Sequence, residues 1–240
     1  VSDASAPTPV DRWWEAMADP SPQRAEMRRL ADAGRLVIER LASTDASPEV
    51  IEEAARLLEA AAAVLDGPGK VRSYQGFAES ANAGGSDHTH FDHSPVMGAS
   101  NPVAPLARIE PIDERTIALH LRYGSAYEGP PGSVHGGFVA AAFDEVLGMT
   151  QSLGGQPGMT GTLTVRYRRP TPLHRDLRFV GRLERVEGRK IFTTARCFDG
   201  EILTAEAEGL FVRVDFQKIA AMMVARDRTD ETGRPDGTPG

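Results

Sequence analysis

Apolar residues recur along this chain at two different periods, and the change of period divides it. Between Ser21 and Leu65 the spacing is helical: Met27, Leu30, Val37 and Leu41 form one stripe, and Val50, Ile51, Ala54, Leu57, Leu58, Ala61 and Leu65 form another. Ser21-Pro22 and Ser47-Pro48 each set a capping hydroxyl ahead of a proline whose fixed φ suits a first helical turn. The pattern predicts a helical hairpin that stops at Asp66-Gly67-Pro68-Gly69. From Ala107 onward the period falls to two. Thr116 to Arg122 alternates Ile117, Leu119 and Leu121; Thr160 to Tyr167 alternates Leu163, Val165 and Tyr167; Asp176 to Glu184 lines up Leu177, Phe179, Gly181 and Leu183. Lys190 to Phe198 and Ile202 to Val214 complete the strands, with turns at Glu187-Gly188 and Asp199-Gly200. One apolar helix, about Gly136 to Leu153, interrupts them, introduced by Glu128-Gly-Pro-Pro-Gly132 and closed near Gly154-Gly155. Two strands, a helix and four strands predict an α+β domain whose antiparallel sheet wraps a single helix.

These patterns divide the chain into an N-terminal helical extension at 1–69, a connector at 70–105, the sheet-and-helix domain at 106–216 and a C-terminal tail at 217–240. The first ten residues and the C-terminal tail are polar, Pro- and Gly-containing, and read as disordered. With 240 residues, 40% of them hydrophobic, the chain has material for a real core. Lys and Arg number 27 against 34 Asp and Glu, a net charge of −7 that argues against nucleic acid as a partner. The single cysteine, Cys197, can form no intrachain disulfide and has no CxxC companion, which points to a reducing compartment, the cytoplasm. It alternates with Ile191, Thr193 and Ala195 and reads as a buried strand residue. No apolar run approaches the roughly 20 residues of a membrane span, and Val1 to Pro9 lacks the pattern of a signal peptide. Trp13-Trp14 reads as an anchor packing the N-terminal segment onto the core.

Candidate chemistry gathers at Val134-His135-Gly136-Gly137-Phe138, directly ahead of the apolar helix. Two glycines let a ligand approach the backbone, and the N–H groups of a first helical turn make an oxyanion site. By itself His-Gly-Gly fits a tight strand-to-helix turn equally well. Asp144 changes the balance, because a helix apolar nearly all round is expected to be buried, and a carboxylate there is costly unless used. Gly137, Ala141, Asp144 and Gly148 share one face, a groove of small residues around an acid. At 1.5 Å per residue Gly137 and Asp144 stand roughly 10 Å apart, too far to meet at one carbon. Two such helices antiparallel about a two-fold axis would join them, which predicts a homodimer with composite sites.

Glu128-Gly-Pro-Pro-Gly-Ser-Val-His-Gly-Gly137, Asp144, Met159-Thr160, Tyr167-Arg-Arg-Pro170-Thr-Pro172, Val186-Glu-Gly-Arg-Lys190 and Ala205-Glu-Ala-Glu-Gly209-Leu-Phe211 together resemble the hotdog-fold acyl-CoA thioesterases of the phenylacetate-pathway (PaaI) type. They are most similar to members of the thioesterase superfamily that pair an aspartate with a threonine. The resemblance covers about residues 95–215 and omits the helical hairpin. It implies hydrolysis of acyl-CoA to free acid and CoA, with His135, Gly136 and Gly137 on the carbonyl side, Asp144 as nucleophile or general base, and Thr160 orienting water or the acid. It implies no cofactor beyond the coenzyme A of the substrate, and the homodimer expected from the helix geometry can double into a tetramer.

From Arg166 to Lys190 nine cations face three acids, an island suited to coenzyme A phosphates, with Arg168, Arg169, Arg189 and Lys190 as the expected contacts. Asp87, His88, His90, Asp92 and His93 have the chemistry of a zinc site, but the glycines and proline around them read as a mobile loop, and no metal is assigned. Two alternatives remain: a non-catalytic acyl-CoA-binding regulator on the same fold, and a MaoC-type enoyl-CoA hydratase. The second needs an Asp and a His around an Asn-Pro, and Ser100-Asn101-Pro102-Val103-Ala104 has neither.

Overall fold

Short connections between alternating strands dictate the sheet. In the computed structural model, which describes residues 11, 13, 17–18, 21–66, 88–155 and 158–214, β1 (Leu106–Asp113) and β2 (Thr116–Arg122) form one hairpin. β4 (Asp176–Glu187), β5 (Lys190–Asp199) and β6 (Ile202–Arg213) form a meander. Its two turns carry Gly188 and Gly200 at φ +58 and +57, a backbone region open to glycine. β3 (Gly158–Tyr167) crosses over to pair with β6. All pairings are antiparallel in the order β1-β2-β4-β5-β6-β3, so β1 and β3 are the edges.

The inner face of this sheet holds the long apolar helix, Gly136–Ser152. Its buried side, Val139, Ala142, Phe143, Val146, Leu147, Met149 and Thr150, meets Leu177, Phe179 and Leu183 of β4 and Ile191, Ala195 and Cys197 of β5. The helix sits close because position 181 is glycine: a Cβ there would lie 2.2 Å from Thr150 Oγ1. Cys197 is fully buried in this core, and burial pushes its thiol up to about 12.

The N-terminal region contains α1 (Pro22–Ser43) and α2 (Pro48–Leu65), with a short α3 (His88–His93) before the sheet; the long core helix is α4. Ser21 caps α1 by accepting from Arg24 N at 3.3 Å. The helices stand where the sequence placed them, but they do not form a packed hairpin. Every residue from Pro48 to Asp66 is exposed, so the α2 stripe lies uncovered. The α1 stripe is covered only in part: Met27 and Val37 are half-buried, while Leu30 and Leu41 are 42% and 59% exposed. α1 instead docks through the face bearing Arg24, Arg28, Ala31, Arg35 and Glu39. Arg24 and Arg28 grip Asp92 at 2.6 and 3.1 Å. Arg35 donates to the carbonyls of Asn101 and Ala99 at 2.7 and 2.9 Å.

Residues 88–93 are helical rather than a mobile loop, because Phe91 enters the core and Asp92 is buried against the two guanidiniums. Among the described residues no group of three or more His, Cys, Asp or Glu could hold a metal ion. Trp13 is buried in the core, as an anchor should be. Trp14, Asp87, the Gly67 to Gly69 stop, the connector at 70–87 and the expected tails at 1–10 and 217–240 lie outside the described residues. No described helix is long and apolar enough to cross a membrane.

Candidate active site

His135 ends an extended stretch (φ −59, ψ 133) and starts α4 as its N-cap. Its Nδ1 accepts from Gly137 N at 3.0 Å, which requires the tautomer protonated at Nε2. The sequence suggested a first turn whose N–H groups all await a ligand, and the structure is more selective. Gly137 N is taken by His135, and Phe138 N donates to His135 O at 2.9 Å. The Gly136 N–H has no partner among the described residues, and its carbonyl is pinned by Tyr167 Oη from β3 at 2.8 Å. The turn is held from behind as well: His135 N donates to Tyr127 O at 2.8 Å, and Tyr123 Oη donates to Phe138 O at 3.1 Å.

Two turns along α4, Asp144 lies outside the core. Gly137, Ala141, Asp144 and Gly148 do share one face, but it points away from the sheet, and Asp144 and Gly137 are exposed in the single chain. The expectation of an acid inside a wholly buried helix is therefore corrected: the small residues that made the helix look apolar all round line its open side. Asp144 Oδ1 accepts from Thr160 Oγ1 at 2.9 Å. Strict alternation would group Thr160 with Thr162 and Thr164, opposite Leu163 and Val165. A register shift between Thr160 and Thr162 re-aims Thr160 toward α4.

The neighbouring Glu145 is held differently. His90 Nε2 stands 2.7 Å from its Oε1, and Ser94 Oγ donates to its Oε2 at 3.1 Å. Two adjacent acids are thereby separated, one packed into the fold and one left on the open face.

The basic island does not assemble. Arg168 and Arg169 follow the end of β3 and lie beside the start of β6, where both backbone N–H groups donate to Thr204 O at 2.8 and 2.9 Å, whereas Lys190, at the start of β5, pairs with Val212 at the far end of β6. Eight residues of strand separate the two pairs by about 26 Å. Arg168 is also ion-paired with Glu206, Arg166 with Glu208 and Arg175 with Asp199, acids that the local charge count left out. Arg189 spends its guanidinium on Arg213 O at 3.0 and 3.1 Å. Arg169 and Lys190 have no ion pair among the described residues. The structure thus brings Asp144 to Thr160 and His135 to Gly137, sets these two groups apart on one helix, and scatters the four cations. Tyr123, Tyr127 and Glu39 around the turn escaped sequence reasoning, since nothing in their spacing signals contact with the cap or its supporting turn, whereas Tyr167 lies on the alternating face it shares with Leu163 and Val165.

A six-stranded antiparallel sheet wrapped on one helix, with a His-Gly-Gly cap and an Asp–Thr pair on its open face, defines a hotdog protein, and the chain belongs to the thioesterase superfamily. The model of that family matches residues 131–206. A crystal structure described as a thioesterase superfamily protein is 33% identical with a TM-score of 0.68; the alignment covers 94% of that chain and 78% of this one, more than the sheet region alone. Acyl-coenzyme A thioesterase THEM4 of Bos taurus is 36% identical over 108 residues, 44% of each chain. The protein of that name from Xenopus laevis is 37% identical over 105 residues, 42% of this chain and 46% of its own. The chain thus matches less than half the length of either relative.

Proposed function

We propose that the protein is an acyl-CoA thioesterase, hydrolysing the thioester to a free acid and CoA. The observation that carries this reading is the Thr160–Asp144 hydrogen bond of 2.9 Å on the open face of a helix capped by His135. Thr160 occupies one carboxylate oxygen and leaves the other to the reacting centre. Asp144 either attacks the carbonyl carbon or takes a proton from water that attacks it. The carbonyl oxygen gathers negative charge at the Gly136 N–H and the N-terminus of α4. The C–S bond then breaks: where Asp144 acted as base, the CoA thiolate takes the proton that Asp144 removed from water and the free acid is already formed; where Asp144 attacked, the thiolate takes a proton from solvent and a water then cleaves the acyl–Asp144 anhydride, releasing the acid and restoring the carboxylate. A thioester is already activated, so a carboxylate and an oxyanion site suffice, and coenzyme A enters only as part of the substrate.

The acid and the carbonyl end of a site come from two copies in this reading. The open α4 face and the exposed edge strand β3, where Met159 and Tyr167 are 47% and 54% exposed, support a homodimer with composite sites. Arg169 and Lys190 are the cations left available for CoA phosphates, and the one buried cysteine supports a cytoplasmic setting. Release of free thiol from acyl-CoAs of graded length tests the reading. Asp144→Asn is expected to lower turnover by at least about a hundredfold while CoA binding persists. Wild-type turnover in that variant would move the chemistry away from Asp144, and binding without turnover in the unaltered protein would leave the acyl-CoA-binding regulator as the function.

A further inference from the structure

We propose that Glu39, on the N-terminal helix α1, is a positioning residue for the carbonyl end of the site, acting through the 3-10 turn Ser125–Tyr127 on the His135 cap. This inference rests on the reading of that cap as the carbonyl-binding end.

Glu39 commits both carboxylate oxygens to one residue of the turn: Oε2 accepts from Ser125 N at 2.8 Å and Oε1 from Ser125 Oγ at 2.6 Å. The Ser125 hydroxyl holds the Glu39 carboxyl below its ordinary value against the smaller upward push of burial, so an anion makes this contact at neutral pH. The approach is so close that a Cβ at position 124 would lie 2.2 Å from Oε2. Gly124 has φ −92, which any residue adopts, so a side chain there would meet no backbone strain but would make the Glu39 carboxylate shift from its place. From the turn the chain of contacts is short. Tyr127 N closes it on Gly124 O, and Tyr127 O accepts from His135 N at 2.8 Å. The Tyr127 ring stands edge-on to Phe138 at 5.0 Å, and Tyr123, just before the turn, holds Phe138 O.

Glu39 is one of several ties on α1. Arg24 and Arg28 on Asp92, and Arg35 on the Ala99 and Asn101 carbonyls, anchor the helix independently. A carboxylate that spends both oxygens on the turn behind the cap, on a helix already anchored elsewhere, is placed to hold the cap.

Steady-state kinetics with an acyl-CoA and amide hydrogen exchange, on the full chain, test this. Glu39→Ala is expected to lower kcat about tenfold with KM within about twofold, because the carbonyl site loses its alignment. Glu39→Gln, whose amide can still meet Ser125 N and Oγ, should restore kcat to within about threefold. Gly124→Ala should imitate Glu39→Ala by expelling the carboxylate, and the double variant should be no worse than either single one. Arg35→Ala, which loosens α1 elsewhere, should leave kcat unchanged. Exchange at the His135 amide should quicken about tenfold in Glu39→Ala and Gly124→Ala, and this readout stands even if the unaltered protein hydrolyses no acyl-CoA. Unchanged exchange at His135 in Glu39→Ala would overturn the proposal whatever the activity, and so would an equal loss of kcat in Arg35→Ala.

Discussion

α1 and α2 are neighbours joined by Thr44–Ser47, and along the sequence both look like amphipathic helices in search of a core. Their fates differ. α1 is seated by charges and backbone carbonyls, with its leucines turned outward; α2, with the cleaner apolar stripe, touches little and buries no residue. An apolar stripe shows that a helix has something to cover, whereas the groups that dock it can be guanidiniums. Asp92 is the clearest case. It is 4% exposed, and burial pushes its carboxyl up, but Arg24 and Arg28 together hold it below the ordinary value.

The contrast is best broken at that residue. Asp92→Ala leaves two guanidiniums without their acceptor and is expected to cost about 2–3 kcal/mol in urea unfolding, below the full loss for a buried pair because both arginines are partly exposed. The pH dependence has a definite sign. Because the folded value is depressed, the contribution is complete above the unfolded value near pH 4 and is lost as pH falls through the lower folded value. The gap between wild type and Asp92→Asn should therefore be constant from pH 5 to 7 and close in stronger acid. A gap that widens in acid would contradict the assignment.

Arg35→Ala should cost less, about 1–1.5 kcal/mol, for the contacts it loses to the Asn101, Ala99 and Ala104 carbonyls and the exposed pair with Asp32. An effect above 3 kcal/mol would mean that α1 depends on this residue rather than on Asp92. The smallest effect is expected on the other helix. Ile51→Ser with Leu58→Ser should change the unfolding free energy by no more than about 0.5 kcal/mol, since both residues are exposed and packed against no core. A loss beyond 1 kcal/mol would show that α2 is covered in solution, and equilibrium sedimentation of the same variant would report whether a second copy covers it.

The same distinction explains what could be read from the residues alone. Five of the strands and α4 follow from alternation, apolar length and turn glycines, since burial against a single shared face writes itself into the period; β1, an edge strand with one buried residue, showed only as a change of texture at Ala107. The Asp144–Thr160 pair came through resemblance of motif; the alternation of β3 would have turned Thr160 away, because a register shift leaves no mark in composition. α3 was missed because six residues rich in His and Asp show no period, and what orders them is Arg24 and Arg28, more than sixty positions upstream. The local excess of cations between Arg166 and Lys190 was partly deceptive for a related reason: Glu206 and Glu208, which pair with Arg168 and Arg166, are distant along the chain and adjacent across the sheet. Periodicity records what is withdrawn from water. It does not record which charge meets which.

Cys197 has a practical consequence. It is the chain's single thiol, sealed under α4 and held protonated far above neutrality. Maleimides and aromatic disulfide dyes applied to the folded protein will find no sulfur of its own to modify. A colorimetric trace of sulfhydryl appearing over time is then free of protein background, and a cysteine engineered onto any exposed position becomes a unique handle for a fluorophore or spin label.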